Sequence, residues 1–366
     1  MERRTFLAAA ALPFWSAVLE ENVTGPRTTS RVVDRPRRIS LDRRAALERN
    51  AEGRPLGALQ RLIPEIDEVE VWNGASRARP GKTLRLVAWN MERGRHWEGG
   101  VRLIRETEAL RDPDIILLGE MDLGMARSGN AHTTRALAAA LGMNYAYGVE
   151  FLELTGGEIE ERKLYPGENE WGYHGNAILS RYPLRNVRML RFPGIEKWYE
   201  GTGANESEKV QKRLGGRMAL LATVRLDRDV TIVCTHLESS AKDSAMRTRQ
   251  TGLLLDALRA YAKGTPVILG GDLNATPDEP MFEAVRSAGF RPEESNDLSV
   301  GTRQRVEDGK VAILENHIDY LLVRGLGVVR NATSPKVVPA AYPPGASGSM
   351  LGDHAIVTAK VELPWL

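Results

Sequence analysis

The sequence predicts a four-layered α/β sandwich, two packed mixed β-sheets with helices on their outer faces. Short apolar runs, each the length of a buried strand, recur from Leu84 to Leu363. Helix-like segments lie between them, the order expected of layered α/β packing. No GxGxxG or GxxxxGK[ST] loop follows any run, which argues against a doubly wound nucleotide-binding sheet.

The strand candidates are LRLVAW (84–89), DIILLGE (114–120), GNAILS (175–180), MALLATVRL (218–226), VTIVCTHL (230–237), PVILGGDL (266–273), HIDYLLV (317–323) and AIVTAKVEL (355–363). Helical spacing appears in GGVRLIRETEALRDP, bounded by Pro113, and again over 133–141 and 247–261. The last of these puts Leu253, Leu254, Leu258 and Tyr261 on one face.

Composition is that of an ordinary globular chain: 366 residues, 42% hydrophobic and 27% charged. The net charge of +2 is uneven. Residues 1–50 carry 10 Arg against 6 acidic residues, +4, which leaves −2 for residues 51–366. A broad basic face is therefore not expected, although a local groove is compatible with these totals. The single cysteine, Cys234, lies inside an apolar run and reads as a buried structural thiol.

Three regions are expected. Residues 1–20 begin MERRTF and continue with an alanine-rich apolar stretch too short to span a bilayer, the form of a twin-arginine export signal. Residues 21–80 form a tether and edge segment, Arg-, Thr- and Pro-rich to about residue 50. Residues 81–366 form the catalytic domain. The expected location is periplasmic or extracellular.

Polar residues fall at the ends of the apolar runs: Asn90, Glu120, His236, Asp272, Asp319 and Asp353, with Asn274 and His354 close by. One such residue could be a cap. Six at the ends of six runs look like a site assembled on one sheet edge. Carboxylates, amides and imidazoles without a cysteine cluster favour Mg2+ or Mn2+, and the absence of HExxH argues against a zinc protease. Metal-held carboxylates with His and Asn donors suit attack of water on a phosphoryl centre.

The pieces LVAWNMER, DIILLGEMD, GNAILSRYPL, VCTHLESS, ILGGDLNATPDEP, HIDYLLV and LGDHAIV, in this order, resemble the endonuclease/exonuclease/phosphatase superfamily. That superfamily includes apurinic endonucleases, pancreatic-type deoxyribonucleases, neutral sphingomyelinases and inositol phosphatases. The resemblance implies Asn90 and Glu120 at the metal, Glu120 as principal carboxylate, with Asp353 at the metal or orienting its neighbours. It implies Asp272 orienting or deprotonating the attacking water, and Asn274 on the scissile phosphate. His236 would donate to a non-bridging oxygen, and Asp319 would fix the tautomer of His354, whose ring contacts the phosphate. Asn176 and Glu92 are candidate substrate contacts.

Three departures are visible. Glu92 stands where many nucleases have Asp, Gly352 replaces the Ser of SDH, and the inositol-phosphatase signature is absent, which counts against an inositol polyphosphate substrate.

Elsewhere, His96 and His132 are expected at the surface, His174 at the surface or behind the site, and Arg247 with Gln250 in a structural role. Trp171, Tyr173, Trp198 and Tyr199 lie in long connections and are expected to touch substrate. Lys209, Lys212, Arg213 and Arg217, with Arg303, Arg305 and Lys310, either line a narrow positive groove or are ordinary solvated charges. The expected activity is that of a monomeric phosphodiesterase acting on nucleic acid, with no stable protein partner. Hydrolysis of a phospholipid head group and an inactive binding module on the same fold are the alternatives.

Overall fold

A computed structural model of the chain describes residues 26–51, 62–75, 80–193, 212–239, 244–343 and 350–365. The export signal expected over residues 1–20 and the residues Trp198, Tyr199 and Lys209 lie outside the described residues.

Two sheets form the body. One has six strands, in the order Arg27–Thr29, Leu184–Arg191, Met218–Arg225, Asp229–His236, Val267–Asp272 and Asp319–Arg324. The other has ten, its centre running Ile356–Glu362, Thr83–Arg93, Ile115–Leu123, Tyr173–Ser180 and Asn144–Glu153. Every run expected to be a strand is one.

Strand alternation makes the layers. Leu84, Leu86 and Ala88 turn inward to meet Leu220, Ile232, Cys234 and Ile268 between the sheets. Their neighbours Val87 and Trp89 turn outward onto the helices Trp97–Glu106 and Thr133–Leu141. On the other sheet Leu221, Val233 and Leu269 pack against Leu254, Leu258 and Phe282 from the helices Ser244–Ala262 and Met281–Ser287. The result is the four-layered α/β sandwich. Cys234 sits in the inter-sheet core, and burial pushes its thiol well above the usual range, so it is structural.

Two central strands escape the sequence pattern. Asn144–Glu153 is buried at every position yet contains Gly148, Glu150 and Glu153. Leu184–Arg191 interleaves three arginines with its apolar residues. Charged residues inside a strand erase the apolar run that betrays it.

The expected tether is also different. From residue 26 it is a strap joined to both sheets: Arg27–Thr29 pairs with Leu184–Arg191, and Val32–Val33 pairs with Val69–Trp72. Ion pairs hold it, Arg27 to Asp67 at 3.1 Å, Arg31 to Glu68 at 3.2 Å and Arg43 to Glu65 at 2.5 Å. A segment secured by backbone pairing and guanidinium–carboxylate contacts shows no apolar periodicity.

Candidate active site

The site lies at one edge of both sheets. His236 and Asp272 are the last residues of neighbouring parallel strands, Asp229–His236 and Val267–Asp272. Asp319 is the first residue of an antiparallel strand and is in register with Asp272, so the beginning of one strand meets the end of the other. Gly271 permits the close approach: at φ 130°, a Cβ there would lie 2.0 Å from the Thr235 carbonyl oxygen.

On the ten-stranded sheet, Asn90 and Glu120 come from the adjacent parallel strands Thr83–Arg93 and Ile115–Leu123, where the register slips. Glu120, at φ 57°, is in the left-handed region that L-residues rarely occupy. Glu92, Arg93 and Asn274 share that conformation, at φ 43°, 74° and 51°. Such backbone, costing of order 1–3 kcal/mol per residue, concentrates at functional sites.

Asn90 joins the two sheets. Its Nδ2 donates to Glu120 Oε1 and to Asp272 Oδ2, each at 3.1 Å. His354 Nδ1 is 2.7 Å from Asp319 Oδ2, and His354 Nε2 is 3.7 Å from Asp272 Oδ2. Against the desolvating effect of burial, Asp319 and Asp272 push the His354 ring up to about 10. Asp272 is itself pushed up to about 7, by burial and by the neighbouring Asp319. His236 Nε2 lies 3.4 Å from Asp272, and burial together with Arg217 holds its ring well below the usual range.

The Asn274 amide nitrogen donates to Asp272 Oδ1 at 2.9 Å, and its side chain donates to the Leu237 carbonyl at 3.1 Å. The predicted set Asn90, Glu120, His236, Asp272, Asn274, Asp319 and His354 is therefore brought together.

Of the other three predicted residues, Asp353 and Glu92 border that cluster, Asp353 with Oδ1 3.9 Å from His354 Nε2, and Asn176 makes no hydrogen bond to it. Asp353, expected at the metal, is about a third exposed at the mouth and pairs with Arg303 at 2.9 Å. Glu92 pairs with Arg95 and donates its backbone N–H to Asn90 Oδ1 at 3.1 Å. Asn176 is fully buried; its Nδ2 donates to Met218 Sδ at 3.9 Å, and its Oδ1 has no hydrogen-bond partner among the described residues.

Asp272, Asp319 and His354 form a buried group whose ligand atoms lie within 4.8 Å of one another and which could hold a metal ion. Asp319 Oδ1 is buried without a hydrogen-bond partner among the described residues. Through Asn90 the Asp272 carboxylate also meets Glu120, and these oxygens, hard donors close together, fit a divalent cation and leave Asp319 to His354.

Several further charges went unread in the sequence. Arg93, directly after Glu92, contacts Glu120 and lies 3.2 Å from Glu161. Burial notwithstanding, Arg93 holds the Glu120 carboxyl well below the usual range. His174, expected at the surface or behind the site, is buried with Nδ1 2.8 Å from Asp122. Asp122 in turn accepts two 2.9 Å bonds from Arg127. The sequence signals for this group were His174 itself and Asp122 inside the DIILLGEMD motif.

Other expectations need correction. Arg213 and Arg217 are neither groove nor solvated surface: they are buried, 3.9 Å from Glu153 and 3.4 Å from Glu150. Lys212 pairs with Glu48 at 2.6 Å. Trp171 donates to the Pro36 carbonyl beneath the Arg35 guanidinium, and Tyr173 donates to the Arg37 carbonyl, so both secure the strap. His132 is 3.1 Å from buried Glu70 rather than at the surface. Arg247 does have the expected structural role, binding Glu279 and the Glu238 carbonyl.

Fold and site together define the class: a layered α/β sandwich with an acid–imidazole centre, suited to a divalent metal, at one sheet edge. The sequence model of the Endonuclease/Exonuclease/phosphatase family matches residues 87–354, and the chain belongs to that family. Its name covers nucleases and phosphatases, both of which hydrolyse phosphoester bonds.

Among solved structures, the chain is similar to an endonuclease/exonuclease/phosphatase from Beutenbergia cavernae (TM-score 0.52, 22% identity, 77% of this chain and 72% of that one). It is also similar to the human Nocturnin catalytic domain solved with bound sulfate (TM-score 0.50, 17% identity, 79% and 97%). A third similar structure is a conserved protein of unknown function from Enterococcus faecalis (TM-score 0.51, 16% identity, 76% and 99%). At these identities the likeness concerns the fold. A comparison with curated protein sequences finds no match.

Proposed function

We propose that the chain is a metal-dependent phosphodiesterase of the nuclease type. The observation that carries this reading is the convergence of Glu120, Asn90, Asp272, His236, Asn274 and the Asp319–His354 pair on one sheet edge. Glu120 and Asn90, facing Asp272, would hold Mg2+ or Mn2+. When bound, such a cation supplies charge neutralisation at the phosphate and acidifies a coordinated water.

The chain's own groups then divide the work. Asp272, pushed up to about 7 by burial and Asp319, is matched to accepting a proton from water near neutral pH. The Asn90 side chain and the Asn274 backbone N–H fix its two oxygens, Oδ2 and Oδ1. Asp319 orients His354 and keeps the ring charged, so that Nε2–H can donate to a phosphate oxygen as negative charge develops there. His236, held neutral, offers a second ring nitrogen beside the same Asp272 oxygen.

The burial of Arg213 and Arg217 and the pairing of Lys212 with Glu48 take three of the seven basic residues out of the groove that a long nucleic-acid strand would use. The favoured substrate is therefore a nucleotide diester gripped at the scissile phosphate, with a phospholipid head group as the alternative. The enzyme would act as an exported monomer without a stable protein partner. Its export rests on Arg3 and Arg4, and changing both to Lys should retain it in the cytoplasm on cell fractionation.

Release from a panel of DNA, RNA, bis-p-nitrophenyl phosphate and sphingomyelin, with Mg2+, Mn2+ or chelator, tests the activity. Metal-dependent cleavage of the nucleotide diesters that chelator abolishes is expected. Activity that persists in chelator would refute the metal assignment, and sphingomyelin cleavage with inert DNA and RNA would favour the lipid alternative.

A further inference from the structure

Arg303 entered the sequence reading only as one of several basic residues of a candidate groove, yet its backbone is built into the site. Arg303 and His354 form an antiparallel bridge, and the Arg303 carbonyl accepts from Leu314 N at 2.7 Å. On one side of it, Ala355 N donates to the Thr302 carbonyl, and Thr302 Oγ1 accepts from the backbone N–H groups of Ile318 and Asp319. On the other, Gln304 N donates to the Asp353 carbonyl at 2.8 Å and Gln304 Nε2 to the Gly352 carbonyl at 2.7 Å. Residues 302–304 are thus stitched to both segments that supply the Asp319–His354 pair.

The side chain crosses the mouth of the site. Nη1 lies 3.1 Å from His354 Nε2, and Nη2 lies 2.9 Å from Asp353 Oδ2. Asn90 Nδ2 is 3.5 Å from the same His354 nitrogen. Arg303 Nη1 and the charged ring's own Nε2–H are both donors, so the acceptor they share must come from outside, at the place where a phosphate oxygen would bind. With about 41% of its side chain exposed, Arg303 remains accessible to a ligand entering from solvent. An exposed ion pair such as Arg303–Asp353 adds little stability by itself. It does hold a planar fork of N–H donors in one orientation before the ligand arrives, which lowers the ordering cost of binding.

We propose that Arg303 is a phosphate clamp, donating to a non-bridging oxygen of the substrate phosphate beside His354, and that Asp353 positions it. This rests on the phosphodiesterase reading and deepens it, since it makes the charged phosphate, rather than the leaving group, the part of the substrate this residue recognises.

The test compares wild type with R303Q, R303K and D353N in two assays: bis-p-nitrophenyl phosphate hydrolysis with Mg2+, and calorimetric titration with inorganic phosphate. A charge-assisted hydrogen bond lost from the clamp should raise KM and weaken phosphate binding about tenfold or more in R303Q. The thermal midpoint should stay at the wild-type value. R303K should fall between, since Lys keeps the charge without the fork, and D353N should shift KM in the same direction by less. Wild-type KM and phosphate affinity in R303Q would overturn the clamp, as would absence of phosphate binding by the wild type. If the wild type cleaves no diester, the phosphodiesterase reading fails, and the phosphate titration still decides the role of Arg303.

Discussion

Two carboxylate–imidazole pairs sit at the same edge of this molecule with nearly equal spacing, Asp319–His354 at 2.7 Å and Asp122–His174 at 2.8 Å. Both rings are buried. Their acidities nonetheless move in opposite directions. His354 faces Asp319, Asp272 and Asp353, and those three negative charges outweigh burial and push the ring up to about 10. Around His174, burial dominates; Asp122 is already claimed by two bonds from Arg127, Arg93 is near, and the ring is pushed down to about 4. A histidine beside a carboxylate is therefore not a chemical unit by itself. What else that carboxylate serves decides whether the ring is a charged donor or a neutral structural group.

The titration of the two rings is the widest expected separation. In the metal-free protein, NMR of the histidine ring protons should show His354 charged until pH approaches 10. His174 should stay neutral until pH falls to about 4. Two rings titrating together near the ordinary histidine value would erase the distinction.

Turnover comes next. H354A and D319N should each cost at least roughly a hundredfold in kcat, the scale of a lost preorganised donor or its orienting partner, whereas H174Q should change kcat by no more than about threefold. Equal losses in H174Q and H354A would mean that the His174 pair takes part in the chemistry.

A third measurement separates the pairs by stability. Arg127 is buried and serves Asp122, Glu161 and, at 3.8 Å, Glu153. R127M leaves those carboxylates uncompensated and should lower unfolding free energy in urea by about 3–5 kcal/mol. A variant as stable as wild type would show that the buried charges relax more freely than this arrangement implies.

The smallest effect concerns the strap beside the His174 side of the molecule. W171A removes the ring that Arg35 covers and the bond to the Pro36 carbonyl. It should cost about 1–2 kcal/mol and leave kcat unchanged. A large loss of kcat would tie the strap to the His354 corner instead.

Much of this protein was legible before any coordinate. The eight apolar runs are strands because β-branched and aliphatic stretches between polar breaks have few other ways to bury themselves. Seven of the predicted site residues cluster because polar side chains at strand ends share one sheet edge. Legibility failed wherever charge was buried. Strand Asn144–Glu153 was hidden by Glu150 and Glu153, and Arg213 and Arg217 looked like surface because nothing in a linear sequence shows that carboxylates from another strand await them.

By itself, then, the sequence determined the layered fold, the edge on which chemistry gathers and the residue types available there. These follow from periodicity and from side chains acting one at a time. The tertiary structure alone decided which charges neutralise which. It set Asp122 against Arg127 and left Asp319 to His354, it paired Asp353 with Arg303, and it bound the N-terminal strap to both sheets. Ion pairing depends on distances between residues far apart in the chain, and its strength on how far the fold excludes water from them. Neither quantity exists until the sheets have packed.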